Sequence, residues 1–226
     1  MINIENLTKS YGKNKGIEEF TYNFEKGSVY GLIGPNGAGK TTLLKLITEF
    51  IFKDKGSITR NFDNNEQLKN IAYMPEFNFL IPGNVQTNID FFSLTYDDLD
   101  KEVLTHILER FGIDKKMNVK KLSTGQRKSL QFALVASRRA AVYLFDEPFS
   151  GIDVITRKRI VTEIIKCIPL EESSVIISSH ELHDMDQLLD TVVVIDQSRL
   201  IKSKRVEDIK ANNESLYDWF IKLLTE

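Results

Sequence analysis

The 226-residue sequence predicts an α/β fold: a parallel sheet core with an N-terminal antiparallel β edge and an inserted helical subdomain. Three observations predict it. Apolar runs without alternation, at Val29–Ile33 and within AVYLF, SVIIS and TVVVI, read as strands buried on both faces. The segments that follow such runs place apolar residues three and four apart, as helices packed on a sheet do. Between 77 and 139 the helical pattern continues without a strand, so the βαβ rhythm is interrupted by an all-helical insert.

The elements follow in order. Ile2 and Ile4 alternate with polar neighbours, and Phe20, Tyr22 and Phe24 repeat at period two before the turn EKG, which marks the antiparallel edge. The strand at Val29–Ile33 feeds a glycine-rich loop, and Leu43, Leu44, Ile47 and Phe50 then recur at helical spacing. Short strands are expected at 57–60 and at Ile71–Met74. In the insert, NVQTNIDFFSL and DDLDKEVLTHILERF are helices, the second opening on an acidic turn suited to a helix N-terminus. After AVYLF come a helix through Ile160, Ile164 and Ile165, the strand SVIIS, a helix at ELHDMDQLL and the strand TVVVI. The tail sets Leu216, Trp219, Phe220, Leu223 and Leu224 on one stripe, expected to pack on the same domain, with a partner contact as the alternative. The whole reads as one domain, with an α/β core at 1–76 and 140–204, a helical subdomain at 77–139 and a helical tail at 205–226.

Composition narrows the class of activity. Hydrophobic residues make up 42% and charged residues 27%, and a net charge of −2 lacks the basic excess of a dedicated nucleic-acid binder. No apolar run reaches the ~20 residues that cross a bilayer, and the start MINIENLTKS has neither a basic lead nor an apolar stretch. A soluble chain is expected, so any membrane-spanning part belongs to another polypeptide. One cysteine, Cys167, and three histidines make neither a disulfide nor a zinc site, which points to a reducing cytosolic compartment. Cys167 is read as a small buried apolar side chain, His106 as a solvated helix position and His183 as surface.

The loop GPNGAGKTT runs through Gly34, Pro35, Asn36, Gly37, Ala38, Gly39, Lys40, Thr41 and Thr42. Gly34, Gly39, Lys40 and Thr41 meet the spacing G-x-x-x-x-G-K-[ST], so the core is the parallel sheet of a P-loop NTPase. Glycines let successive N–H groups turn into one concavity, and the helix that follows adds its positive end to this anion nest. Lys40 supplies a point charge for the β and γ phosphates, and the Thr41 hydroxyl is placed to ligate Mg2+. This loop alone does not separate a kinase from a GTPase or a mechanical ATPase.

Two further stretches add chemistry to it. VYLFDE delivers Asp146 and Glu147 to the carboxyl end of a buried strand, where ligands bind in open α/β sheets. There Asp146 can hold magnesium through water while Glu147 orients an attacking water. LSTGQ contains Ser123 and Gln126 at capping-box spacing, for which a well-capped helix start is the simplest account; the functional account needs the same geometry, since a helix start with a serine hydroxyl and the N–H of Gly125 can serve as a second phosphate site.

Taken in order, GPNGAGKTT, LSTGQ, VYLFDE, SGID and SSH resemble the nucleotide-binding subunit of ATP-binding cassette transporters, over nearly the whole chain. The resemblance implies that Tyr11 stacks on adenine, the alternative being a strand-end tyrosine. It implies that His180 contacts the γ phosphate and the water held by Glu147, and that Asp153 sits where two subunits meet. One subunit's phosphate loop would bind ATP, and Ser123, Thr124, Gly125 and Gln126 of a second nucleotide-binding subunit, in a homodimer or heterodimer, would close over it. An integral-membrane permease subunit would receive the motion through the helical insert, placing the chain in the cytoplasm, peripheral on the inner face of the cell membrane.

Two positions depart from the commonest family pattern. Glu76 stands where glutamine is usual, at a loop that senses the metal; its carboxylate can still reach Mg2+ or water, and it tilts the reading towards export of a peptide, drug or lipid-like cargo. Thr124 replaces a glycine, so ordinary helical or extended geometry is expected there. The rival is a soluble mechanical ATPase of the same superfamily acting on DNA or ribosomes. No nucleic-acid partner is expected, because neither a long coiled coil nor a second cassette is visible in the sequence.

Overall fold

The computed structural model describes residues 1–62, 69–180, 185 and 187–225. The N-terminal edge is a three-stranded antiparallel sheet in which β1 (Ile2–Tyr11) lies between β2 (Asn14–Phe24) and β4 (Lys55–Arg60). Its register sets Ile2 opposite Phe24 and Ile4 opposite Tyr22, then slips before Leu7 meets Phe20. Despite the slips, Ile2, Ile4, Leu7, Ile17, Phe20 and Phe24 all reach the same buried cluster. One face is thus core and the other polar, the alternation of an antiparallel sheet.

The second sheet has six strands in the order β5 (Ile71–Met74), β6 (Val142–Asp146), β7 (Ser174–Ser179), β3 (Val29–Ile33), β8 (Thr191–Asp196) and β9 (Arg199–Arg205). All neighbours are parallel except β8 and β9. Every residue of β3, β6 and β7 is buried, as double-sided burial requires. Strand β9 was not foreseen in the sequence. Its residues are largely charged, and the hairpin before it turns through Gln197 and Ser198, both at positive φ (44° and 69°), without the usual glycine.

One hydrophobic cluster fills the space between the two sheets and packs on α1 (Lys40–Ile47). The other joins the opposite face of the large sheet to α2 (Val85–Thr95), α3 (Lys101–Arg110), α4 (Thr124–Ala136) and α5 (Val154–Cys167). Each of these last four starts on a side-chain cap: Asn84, Asp100, Ser123 and Asp153 accept from the first-turn N–H groups. Helix α1 ends before Phe50, which is 64% exposed and meets the Tyr73 ring edge-on rather than continuing the core stripe. Ile165 likewise faces outward on α5.

Arg138, just past α4, is buried and donates to both carboxylate oxygens of Asp98 and to the carbonyls of Ile71 and Lys69, with its guanidinium 3.9 Å from the Tyr96 ring centroid. It fastens the insert to the edge of the sheet.

Three further expectations change. His106 is not simply solvated: its Nε2 lies 3.1 Å from Oε2 of Glu163, whose side chain is 1% exposed, and Arg110 Nε donates to the other oxygen at 3.4 Å. Cys167 packs against the core but is only half-buried, and its thiol also points to Glu163 Oε2 at 3.4 Å. Burial and the Glu163 carboxylate push that thiol up to about 12. Finally, α6 (Val206–Lys210) and α7 (Leu216–Thr225) follow β9; Leu216, Trp219 and Phe220 join the core, but Leu224 is exposed. The expected helix at 181–189 and His183 fall largely outside the described residues; Met185, Leu188 and Leu189 from that stretch are buried.

Candidate functional site

The loop between β3 and α1 is held by close backbone approaches. A Cβ at Gly34 would lie 2.0 Å from the Ile195 carbonyl, and one at Gly39 would lie 2.2 Å from that of Gly16, with Gly39 at φ 112°. No side chain caps the start of α1. Lys40, only 6% exposed, folds over the loop and donates to the carbonyls of Gly34 (2.7 Å) and Pro35 (3.1 Å), and its Nζ is 3.5 Å from Glu147 Oε1. Burial lowers its pKa, while the carboxylates of Glu147, Asp146 and Glu76 act in the opposite sense. A glycine cradle, an uncapped helix start and a buried lysine form a site built for an anion.

The carboxyl ends of three parallel strands bring the acids to this loop. Asp146, fully buried at the end of β6, accepts from Ser178 Oγ at 2.6 Å, Thr41 Oγ1 at 3.0 Å and the Tyr73 hydroxyl at 3.2 Å. Burial and this carboxylate raise the Tyr73 pKa, keeping the phenol a donor. Glu147 stands one residue further on at φ 47°, a left-handed backbone that glutamate seldom adopts. Its N–H donates to the hydroxyl and the carbonyl of Ser178 (3.0 and 3.2 Å), and its Oε2 lies 3.0 Å from His180 Nδ1. The strained bend turns the carboxylate out of the sheet and into the cavity.

That cavity, about 590 Å³, is lined by Tyr11, Asn36, Gly37, Ala38, Gly39, Lys40, Thr41, Thr42, Glu76, Glu147 and His180 among the sequence-derived candidates. Gly34, Pro35 and Asp146 stand behind this lining, acting through Lys40 and Thr41. Lys15, Gly16 and Ser150 also line it, and Tyr73 and Ser178 support it from below; Ser150 and Ser178 fall within SGID and SSH, but none of the five was assigned a role from the sequence.

Ser123, Thr124, Gly125, Gln126 and Asp153 gather elsewhere, in a separate recess of about 360 Å³ that shares no lining residue with the first. The capping box is complete: Gln126 N–H donates to Ser123 Oγ at 3.2 Å and Ser123 N–H to Gln126 Oε1 at 3.0 Å. Thr124 opens α4 without a positive φ, the ordinary helical geometry expected of it. Asp153 accepts from the N–H and hydroxyl of Thr156 at 2.9 and 2.7 Å, and these bonds hold its carboxyl below the usual range. Within one chain the two recesses remain apart.

Comparison with known proteins agrees with this architecture. Residues 17–150 match the family described as ABC transporter. The chain is 31% identical over 217 residues to the ABC transporter ATP-binding protein YtrB of Bacillus subtilis, covering 93% of this chain and 74% of that one. It is 32% identical over 225 residues to the lantibiotic transport ATP-binding protein SrtF of Streptococcus pyogenes, covering 96% of each. Among solved structures, an ATP-binding subunit of an ABC transporter superposes with a TM-score of 0.83 at 21% identity over 99% of both chains. The cassette MJ0796, solved as a dimer in a post-hydrolysis state with ADP and Pi, gives 0.78 at 18% identity, covering 91% of this chain and 99% of that one. Among the described residues no helix is long and apolar enough to cross a membrane. With its glycine cradle, paired acids and capped helix start in one α/β cassette, the chain belongs to the ABC transporter family and is an ATP-binding, ATP-hydrolysing subunit of it.

Proposed function

We propose that the chain drives a separate integral-membrane permease from the cytoplasmic face of the membrane by pairing, in the presence of ATP, with a second nucleotide-binding subunit, identical or related. The observation that supports this is the separation of the two recesses: a phosphate loop complete with its acids, and a capped helix start that faces none of them. Tyr11, 47% exposed at the cavity rim, offers its ring to adenine. The N–H groups of 37–42 and Lys40 take the phosphates. Thr41, Asp146 and Glu76 would hold Mg2+, which when bound neutralises phosphate charge. Their chemistry fits a hard cation, since all three offer oxygen. Glu147 accepts a proton from water, and His180, 3.0 Å away, fixes the carboxylate's direction. Ser123 to Gln126 of one subunit close on the nucleotide of the other, with Asp153 at the contact.

A recess of about 510 Å³ between core and insert, lined by Phe50, Tyr73, Phe77, Phe79, Phe91 and Tyr96, is the surface offered to the permease. It adjoins Glu76, so a push on the permease segment and a change at the phosphate site share one loop. The relatives named for lantibiotic transport, SkfA peptide export and bacitracin transport support export of a peptide, drug or lipid-like cargo.

The test is Glu147→Gln. ATP affinity is expected to be retained, turnover to be lost, and an ATP-dependent dimer to accumulate in light scattering, with the permease recovered from membranes alongside it. An unchanged hydrolysis rate would remove Glu147 from catalysis, and a persistent monomer at saturating ATP would refute the pairing.

A further inference from the structure

We propose that Lys128 is a positioning residue that ties the helix capping the neighbour's nucleotide to the metal loop and the catalytic acid of its own site, and that its charge counters the carboxylate of Glu76. The proposal deepens the two-subunit reading above and, in its first part, rests on it.

Lys128 lies on the second turn of α4, and the residue is 8% exposed. Lysine is seldom buried so deeply unless it is paired. Its Nζ donates to the carbonyl of Glu76 at 3.1 Å and to the carbonyl of Glu147 at 3.2 Å. One turn along the same face, Gln131 Nε2 donates to the carbonyl of Phe77 at 3.0 Å. Two consecutive turns of α4 therefore grip the backbone of the 76–77 loop, and one of them also grips the residue that carries the catalytic carboxylate.

The grip connects features otherwise far apart. The same helix begins at Ser123, in the recess that awaits a neighbour's phosphate. A rotation or slide of α4 pulls through Nζ on Glu147, whose backbone is already held at φ 47°. Positioning at one site is thereby sensitive to what the helix start meets at the other. Charge adds a second role. Because Nζ bonds the backbones of Glu76 and Glu147, their carboxylates and that of Asp146 lie in the field of this ammonium, as they do in that of Lys40, so three acids share two buried cations. Removing one cation leaves repulsion in a site of low dielectric.

The experiment compares Lys128→Met, Lys128→Gln, Glu76→Gln and the double variant Glu76→Gln/Lys128→Met. Lys128→Met keeps the buried stem but removes both bonds and the charge. Its kcat for ATP is expected to fall about tenfold to a hundredfold while KM changes less than about threefold. Lys128→Gln retains one donor and should fall between wild type and Lys128→Met; it serves as the assay variant should the methionine form not fold. Without nucleotide, amide exchange in peptides covering 76–79 and 144–149 should be at least about tenfold faster in Lys128→Met. Adding Glu76→Gln to Lys128→Met should recover at least about fivefold in kcat, which a merely structural lysine would not allow. A Lys128→Met rate within twofold of wild type overturns the proposal, and so does a double variant whose loss is the product of the single losses. Because ATP-dependent dimerisation of Glu147→Gln is scored separately, a normal dimer beside an unaffected Lys128→Met overturns the role of Lys128 and spares the two-subunit reading.

Discussion

Replacing Ser178 with alanine removes one hydroxyl and loosens both acids of the site at once. In the intact protein that hydroxyl donates to Asp146 at 2.6 Å and accepts the N–H of Glu147 at 3.0 Å. The first bond is short, buried and charge-assisted, a class whose loss costs about 1.5 to 3 kcal/mol. The second is partly insured, because the same N–H also reaches the Ser178 carbonyl at 3.2 Å. Taking about 2 kcal/mol for the pair, the thermal midpoint of a chain this size should drop by about 4 to 8 °C. If the whole of that energy is expressed in the placement of the acids, kcat falls about thirtyfold; if half of it is, about fivefold. KM for ATP should move less than about threefold, since the hydrogen bond that joins the phosphate loop to Asp146 comes from Thr41 and does not involve Ser178. Steady-state hydrolysis and a calorimetric melt measure both quantities. A Ser178→Ala protein with an unchanged midpoint and a kcat within twofold of wild type would refute the view that this hydroxyl organises the acids.

Three other outcomes are expected. Lys40→Ala should weaken ATP binding by at least about tenfold in a fluorescent-nucleotide titration, because a buried ammonium among three carboxylates is lost; normal affinity would contradict the phosphate-loop role. Arg138→Ala breaks the Asp98 pair and frees the carbonyls of Ile71 and Lys69, so denaturant unfolding should show a loss of about 3 to 5 kcal/mol, and a loss below about 1 would argue against its anchoring part. At pH 8 the Cys167 thiol, pushed up to about 12, should carry about a thousandfold less thiolate than an ordinary cysteine; it should therefore alkylate slowly, and faster in Glu163→Gln, whereas labelling as fast as a free thiol would discount the Glu163 contact.

What was legible in the sequence was what is local in the chain. The phosphate loop compresses its glycines, lysine and threonine into nine consecutive residues, and Ser123 with Gln126 spells a cap within one turn. Ser178 and Tyr73 escaped because their role arises only from register: β6 and β7 pair Asp146 with Ser178, and β5 alongside brings the Tyr73 phenol to the same carboxylate. Each is a polar residue in an apolar strand, Ser178 within SSH, whose role shows only when the sheet is assembled. His106 and Cys167 misled for the same reason, since Glu163 meets them from another helix and from the preceding turn of their own. Strand β9 hid behind charges that read as loop.

Those charges matter at the rim of the large sheet. Arg199, Lys202, Lys204 and Arg205 fringe its outer flank, and Arg199 is clasped by Glu18 and Glu19 from β2. A second molecule that would zip against this edge strand meets a row of cations, and permanent sheet-to-sheet polymerisation is discouraged on that side. At the carboxyl ends of β5, β6 and β7 the chain presents loops and side chains in place of a strand edge.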